Sequence, residues 1–298
     1  MGKAIFYVFS GTGNTRRICE LYKSEFEKNG VETELYAVKG GFEGLPSPDD
    51  YDYVGFAYPI HGFNAPHIML DLARALPKRE KGNEKKYFVL KSSGEPLRTN
   101  NISSYKFRSI MKRKGYVQFA EYHYVMPYNM IFRHTDDMAT KMWKTAQQLC
   151  PIEARETLAY APHMLKGVPF GRLIAWVVRI EQPAMRVNGK MFKVDKDKCI
   201  NCGLCVKNCP MNNIKKEGDK FKFGSDCLMC ARCSFNCPTD AFGIAMLNGW
   251  RVNGKYDLDY RGEPQENKHE WYCKKAYKRY FDGAEQKIRC ANQNNDVK

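Results

Sequence analysis

Cysteine is the residue whose spacing in this chain most clearly indicates chemistry. Eight of the 12 cysteines lie between Cys199 and Cys237, in two runs of the form C-x2-C-x2-C-x3-C-P. The second run begins at Cys227, 28 residues after Cys199. Thiolates at such short intervals are typical ligands of iron or zinc. A chain of 298 residues can bury a core without disulfides, so we interpret both runs as metal ligands.

Zinc is the main alternative, because many zinc sites also use cysteine pairs. Such sites usually combine two C-x2-C pairs across a longer gap. A third cysteine in the same run, followed by Cys-Pro, does not suit a single tetrahedral ion. Residues 191–247 instead resemble the bacterial ferredoxins that hold two [4Fe–4S] clusters, which have the same cysteine spacing.

This resemblance implies that each cluster takes three ligands from one run and the fourth from the other. Three thiolates on one tight loop bind three corners of the cluster, and the fourth approaches from elsewhere. The expected ligands of the first cluster are Cys199, Cys202, Cys205 and Cys237. Those of the second cluster are Cys227, Cys230, Cys233 and Cys209. Such crossed ligation would couple folding to cluster binding.

A second motif near the N-terminus has the features of a phosphate site. It follows an apolar run at residues 4–9 and consists of Ser10, Gly11, Thr12, Gly13, Asn14 and Thr15. Hydroxyl groups and free backbone N–H groups at a helix N-terminus bind phosphate. The motif is neither the dinucleotide fingerprint, which would need glycine where Arg16 stands, nor a Walker loop. A monophosphate such as that of FMN fits best.

Residues 1–150 alternate between strand-like and helix-like patterns. Predicted strands cover residues 4–9, 33–38, 53–58, 87–90 and 117–125. Predicted helices cover residues 16–29, 66–76, 105–114 and 136–149. Short apolar strands that alternate with helices indicate an α/β fold, with a parallel sheet covered by helices on both faces.

The phosphate motif resembles the S/T-x-T-G-x-T loop of flavodoxins. The resemblance implies a doubly wound five-stranded sheet in the order 2-1-3-4-5, with FMN at the strand C-termini. Two further loops should then contact the flavin ring: Tyr58, Pro59, Ile60, His61, Gly62 and Phe63 in the first, and Ser92, Ser93 and Gly94 in the second. His61 and Phe63 are the candidate flanking groups, although Tyr58 and Phe63 could equally be core residues. The second loop lacks an aromatic residue, which predicts an open flavin face.

The remaining segments divide the chain further. We expect a flavodoxin-like domain at 1–150, a helical connector at 151–190, a small α+β ferredoxin-like domain at 191–247 and an extension at 248–298. Cys19 and Cys150 are expected to be buried helix residues, and no role is assigned to Cys273 and Cys290. The stretch 270–281 is expected to cover a domain rather than dock a partner.

Charge and hydropathy limit the possible partners. The formal net charge is +15, although cluster thiolates and a flavin phosphate would lower it. Lysine and arginine are spread along the chain without a recognition motif, so we expect no nucleic-acid partner. The apolar segment at 168–180 is too short to span a bilayer, and the first apolar run is too short for a signal peptide. We therefore expect a cytoplasmic protein of undetermined oligomeric state.

Taken together, the chain resembles the flavodoxin–ferredoxin fusions of anaerobic microbes. That resemblance implies an electron-transfer protein that relays single electrons between two [4Fe–4S] clusters and FMN, and links a low-potential donor protein to an acceptor protein. The alternative is an FMN-dependent reductase of a small organic substrate. No catalytic acid is evident in the sequence, which favours the electron carrier. Whether the protein is an enzyme stays open at this point.

Overall fold

The computed structural model describes residues 2–266, 271 and 273–296, and its centre is a five-stranded parallel sheet. The strands are β1 (Gly2–Val8), β2 (Val31–Ala37), β3 (Tyr53–Pro59), β4 (Lys85–Ser93) and β5 (Tyr116–Val125). Their order in the sheet is β2-β1-β3-β4-β5, and all four pairings are parallel. This confirms the predicted flavodoxin-like order, and every predicted strand is present.

Helices cover both faces of the sheet. They are α1 (Asn14–Lys28), α2 (His67–Ala75), α3 (Tyr105–Arg113) and α4 (Asp136–Leu158). Alternate residues of β1 point to opposite faces. Ile5 and Tyr7 therefore belong to a core cluster with α2 and α3, whereas Ala4 and Phe6 belong to a second cluster with α1 and α4.

The predicted boundary at residue 150 is wrong, because α4 continues through it to Leu158 with Pro151 inside the helix. Proline removes one helical hydrogen bond, but burial of Ala154 and Thr157 continues the helix face that packs on the domain. Beyond the helix, the Glu121 N–H donates to the carbonyl of His163 at 2.7 Å. Residues up to about 163 therefore belong to the flavodoxin-like domain.

The connector contains the helices α5 (Gly171–Val178) and α6 (Glu181–Lys190). Gly171 and Ala175 are buried, whereas Trp176 is 68% exposed. The α5 helix is thus a surface helix with one packed side, rather than a buried one. In the described part of the chain, no helix combines the length and hydropathy that crossing a bilayer requires.

The cysteine-rich domain is small and irregular. Its strands are β6 (Lys193–Val194), β7 (Ile214–Glu217), β8 (Lys220–Phe223) and β9 (Phe242–Gly243), paired antiparallel as β6–β9 and β7–β8. There are two four-residue helices, α7 (Leu204–Lys207) and α8 (Arg232–Phe235). Each begins one residue before the third cysteine of its run. Phe192, Ile214, Met229, Phe242 and Ile244 form a core against which five of the eight cysteines pack. This is the expected small α+β unit.

The C-terminal helix α9 (Lys274–Asp296) packs on the flavodoxin-like domain. Tyr277 and Phe281 are buried beside Met138 and Met142 of α4. Lys287 Nζ of α9 lies 3.1 Å from Glu153 Oε1 of α4. The described part of the stretch 270–281 therefore covers the domain, as expected. Residues 267–270, 272, 297 and 298 of the predicted extension lie outside the described residues. Cys19 and Cys150 are buried as expected, Cys273 is also buried, and Cys290 is exposed.

Candidate functional site

A pocket of about 510 Å³ opens at the C-terminal ends of β1, β3 and β4. This is the edge at which doubly wound sheets bind ligands, and the volume is in the range of cofactor sites. All three predicted loops contribute to its lining. The predicted residues that line it are Ser10, Gly11, Thr12, Asn14, Thr15, Pro59, Ile60, His61, Gly62, Phe63, Ser92, Ser93 and Gly94.

The first of these loops has the properties of an anion site. Gly13, which does not itself line the pocket, has φ 109° and precedes α1, whose first turn has no acidic residue and no side-chain cap. The buried Thr12 Oγ1 has no hydrogen-bond partner among the described residues. Unpaired donors at a positive helix end suit a phosphate. The loop therefore fits the phosphate of FMN.

The loop after β3 is held by the connector. Asn64 donates from Nδ2 to the carbonyl of Ala175 at 3.0 Å, and Gln182 Nε2 donates to the carbonyl of Ala65 at 3.1 Å. Phe63, with φ 54°, adopts the left-handed conformation that non-glycine residues rarely use. Burial lowers the pKa of His61 to about 4, so its imidazole is neutral at pH 7.

Tyr58, like Gly13, is a predicted site residue that does not line the pocket. Its side chain is fully buried in the core and packs near Phe107 of α3, with ring centroids 5.9 Å apart. As the last but one residue of β3, it points to a sheet face rather than to the strand end. The flavin-contact prediction for Tyr58 is therefore wrong, and the core alternative holds.

The loop after β4 is fixed by hydrogen bonds from three directions. Ser92 Oγ lies 2.8 Å from Thr15 Oγ1, which joins this loop to the start of α1. Ser93 Oγ lies 2.7 Å from Nε2 of His123 on β5. The Tyr277 hydroxyl of α9 donates to the carbonyl of Gly94 at 2.6 Å. The C-terminal helix thus takes part in shaping the pocket.

Two further pocket residues lie beside this loop: Glu95, which directly follows Gly94, and Tyr128, to which sequence reasoning assigned no chemistry. The Tyr128 ring packs so closely on Gly94 that a Cβ at that glycine would collide with it. Its hydroxyl donates to Glu95, and burial raises the pKa of Glu95 to about 7. Tyr128 supplies the aromatic group that the second loop lacks. No local pattern marked it, because the contact joins loops that follow different strands.

One wall of the pocket comes from the ferredoxin-like domain. Cys227, Leu228, Met229, Cys230 and Ala231 all line it. Leu228 is 5% exposed and belongs to the core cluster of the flavodoxin-like domain. One cysteine loop is therefore built into the flavin-type pocket. We call it the proximal loop (residues 227–233) and its counterpart the distal loop (residues 199–205).

The four cysteines expected for the second cluster share one site. Cys209, Cys227, Cys230 and Cys233 line a common small cavity. Burial raises the pKa of Cys233, and so do the neighbouring thiols of Cys230, Cys227 and Cys209. The backbone N–H groups of Met229 and Asn213 donate to the sulfurs of Cys227 and Cys209. Such hydrogen bonds are a means by which proteins adjust cluster potentials.

The distal loop is open to solvent. Cys202 is exposed, and Ile200 is 62% exposed. Burial raises the pKa of Cys205, with smaller contributions from the thiols of Cys199 and Cys202. Among the described residues, no three His, Cys, Asp or Glu side chains converge on a single metal ion. Ligands of a four-iron cluster bind different iron atoms, so they need not converge in that way.

Comparison with known proteins identifies the cysteine-rich domain. A family model described as a 4Fe-4S binding domain matches residues 192–215. A ferredoxin of Methanothermococcus thermolithotrophicus is 40% identical over 55 residues, which cover 17% of this chain and 92% of that protein. NAD(P)H-quinone oxidoreductase subunit I of Gloeobacter violaceus is 28% identical over 90 residues, or 26% of this chain. The chain spans only 43% of that subunit's length.

Structural similarity to the other domain is weaker. A flavodoxin of Streptococcus pneumoniae aligns with 53% of this chain and 97% of its own length, at 17% identity and a TM-score of 0.36. At that TM-score the alignment adds nothing to the 2-1-3-4-5 sheet order, which is itself the flavodoxin arrangement. The chain therefore belongs to the ferredoxin family through its cysteine-rich domain, and it joins that ferredoxin to a domain of flavodoxin fold.

Proposed function

We propose that this protein relays single electrons between two [4Fe–4S] clusters and one FMN, and so links a low-potential donor protein to an acceptor protein. One observation carries the proposal: the proximal loop and the phosphate loop line the same pocket. A cofactor bound there would lie against the protein loop that holds a cluster. Joining both carriers in one chain favours transfer within the molecule.

Different residues of the pocket would contact different parts of FMN. The phosphate loop, from Ser10 to Thr15, binds the phosphate, while Phe63 and Tyr128 provide aromatic surface for the ring. The buried Leu228 and Met229 restrict water on the cluster side. Bound FMN would supply a carrier that exchanges one or two electrons, between one-electron clusters and the acceptor.

The two cysteine loops suggest an order of transfer. The proximal set, Cys227, Cys230, Cys233 and Cys209, lies beside the pocket, whereas the distal set, Cys199, Cys202, Cys205 and Cys237, includes the exposed Cys202. Exposed lysines flank the distal loop: Lys196, Lys198 and Lys207. An acidic donor would therefore dock at the distal loop. Electrons would pass from donor to distal cluster, proximal cluster and FMN.

The test is anaerobic purification followed by cofactor analysis. About eight irons, eight sulfides and one FMN per chain are expected from two four-iron clusters and one flavin. Stepwise reduction followed by EPR should then show two interacting clusters. Zinc in place of iron, or a preparation that binds no flavin, would overturn the proposal.

Glu95 is the observation that favours the reductase alternative. It lines the pocket, and burial raises its pKa to about 7, which suits a proton donor near neutral pH. Sequence reasoning assigned no residue the role of a catalytic acid. If the pocket reduces a small organic substrate, the Glu95→Gln variant should lose most turnover of that substrate while cluster reduction by dithionite is unchanged. Equal turnover in both proteins would remove this support.

A further inference from the structure

The contact between the proximal loop and the phosphate loop is centred on one side chain, Arg232. The geometry points to Arg232 as a positioning residue that couples FMN binding to assembly of the proximal cluster. This inference rests on the proposed function, because it requires both cofactors. It adds a dependence between them: loss of the proximal cluster weakens FMN binding, and loss of FMN exposes the proximal cluster.

Arg232 joins three loops through its guanidinium group. Nε donates to the carbonyl of Gly11 at 2.8 Å, and Nη2 donates to the carbonyl of Ser10. Nη1 donates to the carbonyl of Asn208 at 3.0 Å. Arg232 lies between two predicted ligands of the proximal cluster, and Asn208 precedes a third. The planar guanidinium holds several acceptors in fixed directions, which lysine cannot do.

Two backbone contacts also join the cysteine segments to the flavodoxin-like domain without side chains. A Cβ at Gly11 would collide with the carbonyl oxygen of Cys230, so the two backbones approach as closely as glycine permits. On the other side, the Gly40 N–H donates to the carbonyl of Pro210 at 2.8 Å. Both cysteine segments expected to hold the proximal cluster therefore rest directly on the flavodoxin-like domain.

These contacts imply coupling in both directions. Cluster assembly fixes residues 227–233, and Arg232 transmits that order to Ser10 and Gly11, whose backbone forms the phosphate loop. If the cluster is absent, the phosphate loop loses its support. Coupling free energies between sites are reciprocal and usually change affinity about 5- to 150-fold. We expect about a tenfold change in FMN affinity here.

The distal loop provides an internal control. In the 28-residue repeat, Leu204 occupies the position of Arg232, and it is 39% exposed. Leucine cannot donate hydrogen bonds to the phosphate loop. Loss of the distal cluster should therefore leave FMN affinity unchanged, although the cysteine chemistry of the two loops is equivalent.

The experiment compares Cys233→Ser with Cys205→Ser, which occupy the same position of the repeat, in the full-length, anaerobically purified protein. Iron analysis should give about four irons per chain in each. FMN dissociation constants are measured by fluorescence titration after removal of the flavin. We expect the FMN dissociation constant to rise about tenfold in Cys233→Ser and to change less than twofold in Cys205→Ser.

The variant Arg232→Gln keeps all eight cysteines and tests the residue itself. It should weaken FMN binding about tenfold, and adding Cys233→Ser should cause little further loss. Arg232→Lys should not restore affinity, because the bonds depend on guanidinium geometry. In the wild type, bound FMN should slow the release of iron from the proximal cluster in air.

The outcomes separate the two claims. If no variant and no wild-type preparation binds FMN, the proposed function fails. If all bind FMN equally, the function stands and the coupling is overturned. Equal weakening in Cys205→Ser and Cys233→Ser would also overturn it, because the effect would then be general. If Cys233→Ser fails to fold, as judged by circular dichroism, the Arg232→Gln titration decides.

Discussion

The proximal and distal cysteine loops have the same spacing but different surroundings. Leu228 of the proximal loop is 5% exposed, whereas Ile200 at the same position of the distal loop is 62% exposed. Both loops share a left-handed residue before their short helix, Ala231 with φ 55° and Gly203 with φ 69°. Cysteine spacing thus sets the loop conformation, while packing on the flavodoxin-like domain decides which loop meets the pocket.

The largest expected effect concerns burial. Leu228→Ala should lower the free energy of unfolding by about 2–5 kcal/mol, because it opens a cavity in the flavodoxin-like core. Ile200→Ala is the matched control, and its free energy of unfolding should stay within about 0.5 kcal/mol of the wild-type value. Anaerobic urea denaturation measures both. Equal losses would mean that the two loops are not differently packed.

The pocket side also contains a partly buried carboxyl group, that of Glu95. Burial raises the pKa of Glu95 from 4.5 to about 7, so the folded state holds its proton more tightly than the unfolded state. The resulting contribution to stability is complete below pH 4.5 and is lost as the pH rises through about 7, for a total of about 3 kcal/mol. Glu95→Gln should remove this pH dependence from the free energy of unfolding. Asp197→Asn changes an exposed carboxylate beside the distal loop and should leave the pH dependence unchanged. An unchanged slope in Glu95→Gln would contradict the assignment.

A smaller effect is expected from the close approach of the two domains. Gly11→Ala should force the phosphate loop away from Cys230 at a cost of about 1–3 kcal/mol. FMN affinity should fall about tenfold, since 1.4 kcal/mol corresponds to a factor of ten. Gly203→Ala is the control, because its Cβ would meet no atom within 4 Å and the corresponding Ala231 already adopts a left-handed conformation. Wild-type affinity in Gly11→Ala would show that the contact does not shape the site.

The smallest effect concerns surface charge at the distal loop. Lys207→Glu should slow bimolecular reduction by an acidic ferredoxin about threefold at low salt, because exposed charges mainly affect association. High salt should abolish the difference. Lys81→Glu is the control. Lys81 precedes β4 and therefore lies at the N-terminal end of the strands, whereas the pocket lies at their C-terminal end. Stopped-flow measurements in which Lys81→Glu slows reduction equally would place the docking site elsewhere.

Much of this protein could be predicted from the sequence because its signals are local. Apolar strands that alternate with helices predicted the α/β fold, and the resemblance of the phosphate motif to that of flavodoxins implied the sheet order. Five of the six residues from Ser10 to Thr15 line the pocket. Local patterns failed where tertiary packing dominates. The predicted helix over 136–149 ended before Pro151, but a continuous buried face extends α4 beyond that proline to Leu158. Tyr58 looked like a flavin contact, but strand alternation turns it into the core.

The sequence by itself determined the two cysteine runs, their repeat and the phosphate loop, because each of these depends on residues close together in the chain. Only the tertiary structure decided which run faces the pocket. That choice depends on contacts such as the one from Arg232 to Gly11, which joins residues 221 positions apart. The two runs have the same spacing, so no local pattern distinguishes them. The difference arises because the flavodoxin-like domain covers the proximal loop and excludes solvent from it, whereas the distal loop stays exposed.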